Sequence, residues 1–171
     1  YGGAFDLPNH PVVGVSWFEA QAFCVWLAER LGCAVCLPNE AQWLLAAQGL
    51  DDYVGSAGLG DPRNKNSGDS GLGTTSAVGI FPGSESPGGI MDLLGNVWEL
   101  VGAGEKIYKG AGPLPAAART LVRGGSFVDP AETITTGLQA SIEPDYVVRN
   151  VGFRVVCLTE LPQQDLSKIN I

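Results

Sequence analysis

This chain is short of basic residues, of histidine and of long apolar runs, and each shortage weighs against a class of protein. It holds 10 Lys and Arg against 18 Asp and Glu, for a formal charge of −8 at pH 7. That balance argues against nucleic acid and against an anionic membrane surface as partners, and suits a soluble protein. No apolar stretch approaches the ~20 residues of a helical membrane span, so membrane insertion is not expected. The first residues also lack a basic-then-apolar signal sequence. Cellular address is left open. His10 is the only histidine, and the cysteines are Cys24, Cys33, Cys36 and Cys157. Cys33-x-x-Cys36 has the spacing of a redox or half-metal motif. No second pair at that spacing accompanies it, so a zinc site is not expected, and the redox state of the cysteines stays open.

What is present describes a loop-rich globular domain. The 171 residues are enough for one substantial core, and 45% hydrophobic against 16% charged residues excludes a disordered chain. Glycine (24) and proline (11) are abundant but follow no period, which points away from a helical bundle. No internal repeat is visible.

Two helices carry start and stop signals. Ser16 stands three residues before Glu19, a capping box, and Trp17, Ala20, Cys24, Leu27 and Leu31 recur at helical spacing up to Gly32. The spacing predicts a helix over 17–31, with Trp17, Phe23 and Trp26 in the core. Asn39 with Gln42 opens a second helix near 40–48, running through Trp43 to Gly49. Residues 1–15 read as a loop entering a short strand, and residues 50–89 as successive turns. Short strands are expected at Thr120-Leu121-Val122 and Phe153-Arg154-Val155-Val156-Cys157. Residues 161–171 read as a polar tail.

The densest stretch is Met91-Asp92-Leu93-Leu94-Gly95-Asn96-Val97-Trp98-Glu99, which places carboxylates on either side of a Gly-Asn turn. Trp98 is expected to be buried beside that turn. Other motifs precede and follow it: Pro11-Val12-Val13-Gly14-Val15-Ser16-Trp17, Leu37-Pro38-Asn39-Glu40-Ala41-Gln42-Trp43, Arg123-Gly124-Gly125-Ser126-Phe127 and Gly152-Phe153-Arg154. In this order, over roughly residues 9–157, the set resembles the formylglycine-generating-enzyme (sulfatase-modifying factor) family. The resemblance implies an α+β C-type-lectin fold, loop-rich, with two helices and a short twisted antiparallel sheet. Its domain would span 1–160, without the family's N-terminal part, so the chain is expected to be truncated, cleaved, a compact variant or a module of a larger protein.

The resemblance also implies ligands. In the family, the positions of Asp92, Gly95, Val97 and Glu99 bind calcium, two of them through main-chain carbonyls. Carboxylates and free carbonyls on a short loop are the hard oxygens that calcium prefers. The alternative is that Asp92 and Glu99 cap local amides. Asn64 and Asp69 are weaker candidates for a second calcium site. Copper is not expected: family enzymes hold it through paired cysteines shortly after Gly-Gly-Ser, and this chain has none between Cys36 and Cys157. Iron-dependent relatives take histidines from an additional domain, and only His10 is present here.

The absent cysteines leave a binding reading foremost. Residues 128–150 and the ending Gly-Phe-Arg-Val-Val resemble the variable proteins of diversity-generating retroelements, which display a diversified face to a protein or other surface ligand. On that reading Tyr146 and Arg149 are the expected anchors, since aromatics and Arg dominate binding hot spots. Asp129, Thr133, Thr135 and Glu143 are expected polar contacts. The alternatives are an ordinary solvent loop, an oxidase or other modifying enzyme of the formylglycine-generating type, and an accessory or regulatory module. Asp129, Glu132, Glu143 and Asp145 read as solvated loop charges rather than as an acid–base pair.

Overall fold

The computed structural model describes residues 3–53, 62–81, 83–102 and 119–158. Helix α1 runs Trp17–Leu31 and begins at the capping box: Ser16 Oγ accepts the Glu19 amide at 3.3 Å, and the Glu19 carboxylate accepts the Ser16 amide at 2.7 Å. Gly32 ends it with φ 67, in the left-handed region that glycine enters without a Cβ penalty. Trp17, Ala20, Cys24 and Leu27 form its buried face. Phe23 and Trp26 are only half-buried and pack on each other at 5.4 Å between ring centroids.

After β1 (Val35–Cys36), helix α2 (Glu40–Ala47) starts on the second capping box, Asn39 with Gln42. A single-turn helix, α3 (Leu50–Tyr53), follows. The turn-rich region that comes next contains the 3-10 turns Pro62–Asn64 and Gly68–Ser70. The remaining strands are β2 (Trp98–Leu100), β3 (Thr120–Arg123), β4 (Gln139–Ile142), β5 (Val151–Gly152) and β6 (Val156–Cys157). The expected tail lies outside the described residues.

The strands form two small sheets. One has the order β4-β3-β2-β5, and the other pairs β1 with β6. The larger sheet departs from the antiparallel expectation, because β2 and β5 run parallel, with Trp98 opposite Val151. Of the strand expected over 153–157, only Val156–Cys157 forms, in the smaller sheet, while the strand of the larger sheet, Val151–Gly152, lies just before that range. At 12–15 only Val13 takes part, through an isolated bridge to Gly152. Gly152 is required there: a Cβ would collide with the Val12 carbonyl.

Two apolar clusters hold these layers. Trp17, Ala20 and Cys24 of α1 pack with Leu37, Leu100, Val122 and Val151. Trp43, Ala47, Leu50 and Leu93 form the second. Trp98, expected to be buried, is partly buried and packs against the first cluster. No described helix is long and apolar enough to cross a membrane.

Candidate functional site

The motif residues meet at Glu99. Glu99 is only 4% exposed and lies on β2. A buried carboxylate needs a charged partner or dense hydrogen bonding, and Glu99 has both. Arg154 donates to it through Nε at 2.6 Å and Nη2 at 2.5 Å, while the Trp43 indole donates at 2.7 Å. Arg154 Nη2 also reaches the Met91 carbonyl at 3.1 Å. Across the indole, Arg123 sits 5.7 Å from the Trp43 ring centroid and bonds Glu40, Gln139 and the Thr136 carbonyl. Trp43 thereby links the Arg123 guanidinium to the Glu99–Arg154 pair. α2, β2, β3 and the segment after β5 are tied at one point.

The Gly-Asn turn is fixed just as tightly. Asn96 adopts φ 62, a left-handed conformation that Asn tolerates. Its side chain accepts from the Ser76 amide at 2.9 Å and donates to the Ser76 carbonyl at 3.2 Å. Its amide donates to the Asn66 carbonyl, and its carbonyl accepts from Phe127. At Gly124, with φ 93, a Cβ would stand 2.5 Å from the Leu93 carbonyl. The turn therefore anchors the loop 66–76 and the Gly-Gly-Ser segment against β2.

Asp92 lies nearby at φ 55 and accepts the Gly79 amide at 2.6 Å. Burial pushes its carboxyl pKa up, opposed by the Gly79 hydrogen bond and by Arg154. A cleft of about 400 Å³ opens beside it, lined by Pro11, Val78, Met91, Phe153 and the Arg154–Glu99 pair. A wider groove of about 730 Å³ between α2 and residues 87–90 has no ionisable lining residue among the described residues.

The expected calcium ligands thus gather at one end of β2, but their side chains are engaged. Glu99 is shared by Arg154 and Trp43, and Asp92 holds the Gly79 amide. Among the described residues, no three His, Cys, Asp or Glu side chains converge as a metal cluster. As arranged, the Glu99 carboxylate faces the Arg154 guanidinium, and a calcium ion on Glu99 would share it with that cation. At the weaker pair, Asp69 accepts the Ala131 amide at 2.7 Å, and Asn64 ends the 3-10 turn Pro62–Asn64.

Residues 128–150 divide into parts with different roles. Asp129 is turned inward, its carboxylate accepting the Ser126 amide at 2.9 Å and the Ser126 hydroxyl at 2.6 Å. It is a turn cap rather than a free contact. Thr133 is exposed and donates to the Pro130 carbonyl. Thr135 is half-buried, its carbonyl closing a turn with Leu138. Past β4 the chain must cross from one edge of the sheet to the other to reach β5, and it does so as a strap. Pro144 accepts the Trp17 amide, Val148 the Gly14 amide and Asn150 the Trp98 amide. Glu143 makes a 3.6 Å surface ion pair with Arg119. Tyr146 is 52% exposed, and Asp145, Val147 and Arg149 are exposed beside it. Glu143, Tyr146 and Arg149 therefore share the strap, while Thr133 and Thr135 precede β4.

Sequence reasoning named Trp43 and Arg154 only as motif members. A glutamate inside an apolar strand and an arginine beside an apolar run were the available signal that each required a partner.

This architecture is a C-type-lectin-like fold, and solved structures share it. PvdO from Pseudomonas aeruginosa aligns with a TM-score of 0.69 and 24% identity, covering 88% of this chain and 63% of that one. Treponema denticola variable protein 1 aligns with a TM-score of 0.65 and 23% identity, covering 87% and 71%. Residues 3–158 match the Sulfatase-modifying factor enzyme 1-like domain. The chain belongs to the formylglycine-generating-enzyme (sulfatase-modifying factor) family. Among its relatives, the Inactive C-alpha-formylglycine-generating enzyme 2 of Mus musculus is 31% identical over 91% of this chain and 52% of its own length. The Formylglycine-generating enzyme of Bos taurus is 26% identical over 86% and 44%. The chain spans about half the length of these curated relatives.

Proposed function

We propose that this domain is a non-catalytic binding module that displays a ligand-binding surface on the strap within residues 128–150, in the manner of a retroelement variable protein. The observation that carries this reading is the strap's construction. Main-chain hydrogen bonds at Pro144, Val148 and Asn150 fix its path, while Glu143, Asp145, Tyr146, Val147 and Arg149 project into solvent. Side chains there can change without altering what holds the backbone, which is the requirement for a diversified surface on a rigid scaffold. The fold-level likeness to Treponema denticola variable protein 1 supports the same reading. Tyr146 and Arg149 are its anchors, and the partner is a protein or another surface ligand.

The test is sequencing of the gene segment that encodes residues 128–150 across the source population. Substitutions confined to residues 128–150, at adenine positions of a neighbouring template copy, support a diversified binding protein. An invariant segment with no template copy removes the retroelement reading and leaves a fixed binding or regulatory module. The oxidase alternative has its own assay, Cu(I) binding and conversion of a cysteine-containing peptide. With no cysteine between Cys36 and Cys157, neither is expected.

A further inference from the structure

The function proposed above makes no use of the cysteines, yet the fold gathers several at one place. Cys24 is buried in α1, and its thiol pKa is pushed up to about 12, first by burial, which leaves it inert. Cys33, just past the end of α1, is half-exposed, and Cys157 is exposed. The strand pairing brings them together. In the β1–β6 ladder Val35 faces Cys157, and the Leu158 amide bonds the Ala34 carbonyl at 2.9 Å. Cys157 Sγ then lies 3.2 Å from Cys33 Sγ, across 124 residues of sequence. That is closer than the ordinary non-bonded contact of sulfurs, so the two thiols already stand within reach of each other. Cys36 stands opposite Val156, so the ladder puts no thiol across from it.

We propose that Cys33 and Cys157 are a disulfide pair, a reversible clasp that fastens strand β6 to the end of helix α1. Among the described residues no metal-holding cluster includes these thiols, so their approach is not explained as a metal site. The oxidant is a small-molecule disulfide such as oxidised glutathione. The Cys157 thiolate attacks one of its sulfurs, the reagent's S–S bond breaks, and one small thiolate leaves. The Cys33 thiolate then attacks Cys157 in the mixed disulfide and expels the second. Each protein thiol has given its proton to solvent. The protein pair is oxidised, and the reagent is reduced to thiols. Closing so long a loop restricts mainly the unfolded chain, and for a domain of this size corresponds to a rise in melting temperature of about 10 °C.

The experiment compares the full chain in dithiothreitol with the same chain in oxidised glutathione, by non-reducing peptide mass mapping and thermal melting. The expected result is a single Cys33–Cys157 linkage, a melting point raised by about 10 °C, and the same rise in Cys36→Ser but none in Cys157→Ser. A linkage through Cys36, no linkage at all, or a linkage without a rise in melting temperature overturns the clasp. None of these outcomes bears on the strap, whose test is genetic.

Discussion

Replacing Glu99 with Gln keeps the side chain's shape while removing the charge that Arg154 and Trp43 converge on. The guanidinium of Arg154 would remain, with its side chain 24% exposed, against a neutral amide. Losing one partner of a buried ion pair costs about 3–5 kcal/mol, and water access to Arg154 places the expected loss near the lower end, about 3 kcal/mol. For a domain of this length, that lowers the melting temperature by roughly 10 °C. Thermal and urea unfolding of Glu99→Gln, Arg154→Met and the double variant would measure it. Removing both charges leaves no uncompensated ion, so the double variant should recover much of what either single variant loses. A single-variant loss below about 1 kcal/mol, or simple additivity in the double, would refute the placement of this pair at the structural centre of the domain.

Burial raises the Asp92 pKa above its unfolded value, so its folded form favours the proton. Its contribution to stability is fully present below the unfolded pKa and is lost as pH rises through the folded one. Asp92→Asn, whose amide tolerates the φ of 55, should flatten that part of the stability–pH curve; an unchanged slope in urea melts would count against it. Gly152→Ala should cost about 3 kcal/mol or more by driving a methyl group into the Val12 carbonyl, and a melting temperature within a degree or two of the parent would contradict that close approach. Calcium should leave the melting temperature where excess chelator leaves it, because Arg154 already neutralises Glu99. A rise of several degrees in calcium, with the ion found by mass spectrometry, would assign the carboxylates to metal.

The helices were the most legible part of the sequence, because each announces itself locally. Ser16 with Glu19 and Asn39 with Gln42 are capping boxes whose reach is a single turn, and the helices begin where those residues stand. Among the strands, the β-branched run at Thr120–Arg123 was legible, but a period of two cannot show itself in Val151–Gly152 or Val156–Cys157. Their pairing is decided by partners far away in sequence, which is why the parallel β2–β5 contact was not anticipated. The Gly-Asn-Val-Trp-Glu stretch was found by composition, yet its chemistry was not. Glu99 is balanced by an arginine 55 residues away, and nothing near Glu99 in the chain encodes that choice. In the candidate binding segment, exposed Tyr146 was separable from inward-turned Asp129 only once the neighbouring hydrogen bonds were known.

The wiring of the first core has a consequence during synthesis. Trp17, Ala20 and Cys24 are covered in part by Val151, and β1 waits for Val156 and Cys157. A ribosome delivers residues one after another at about 5–20 per second. Helix α1 therefore leaves the exit tunnel several seconds before the strands that shield its apolar face exist. The nascent chain carries that face uncovered until Val151 emerges, a window in which a chaperone or a neighbouring nascent chain competes with β5 for the same surface.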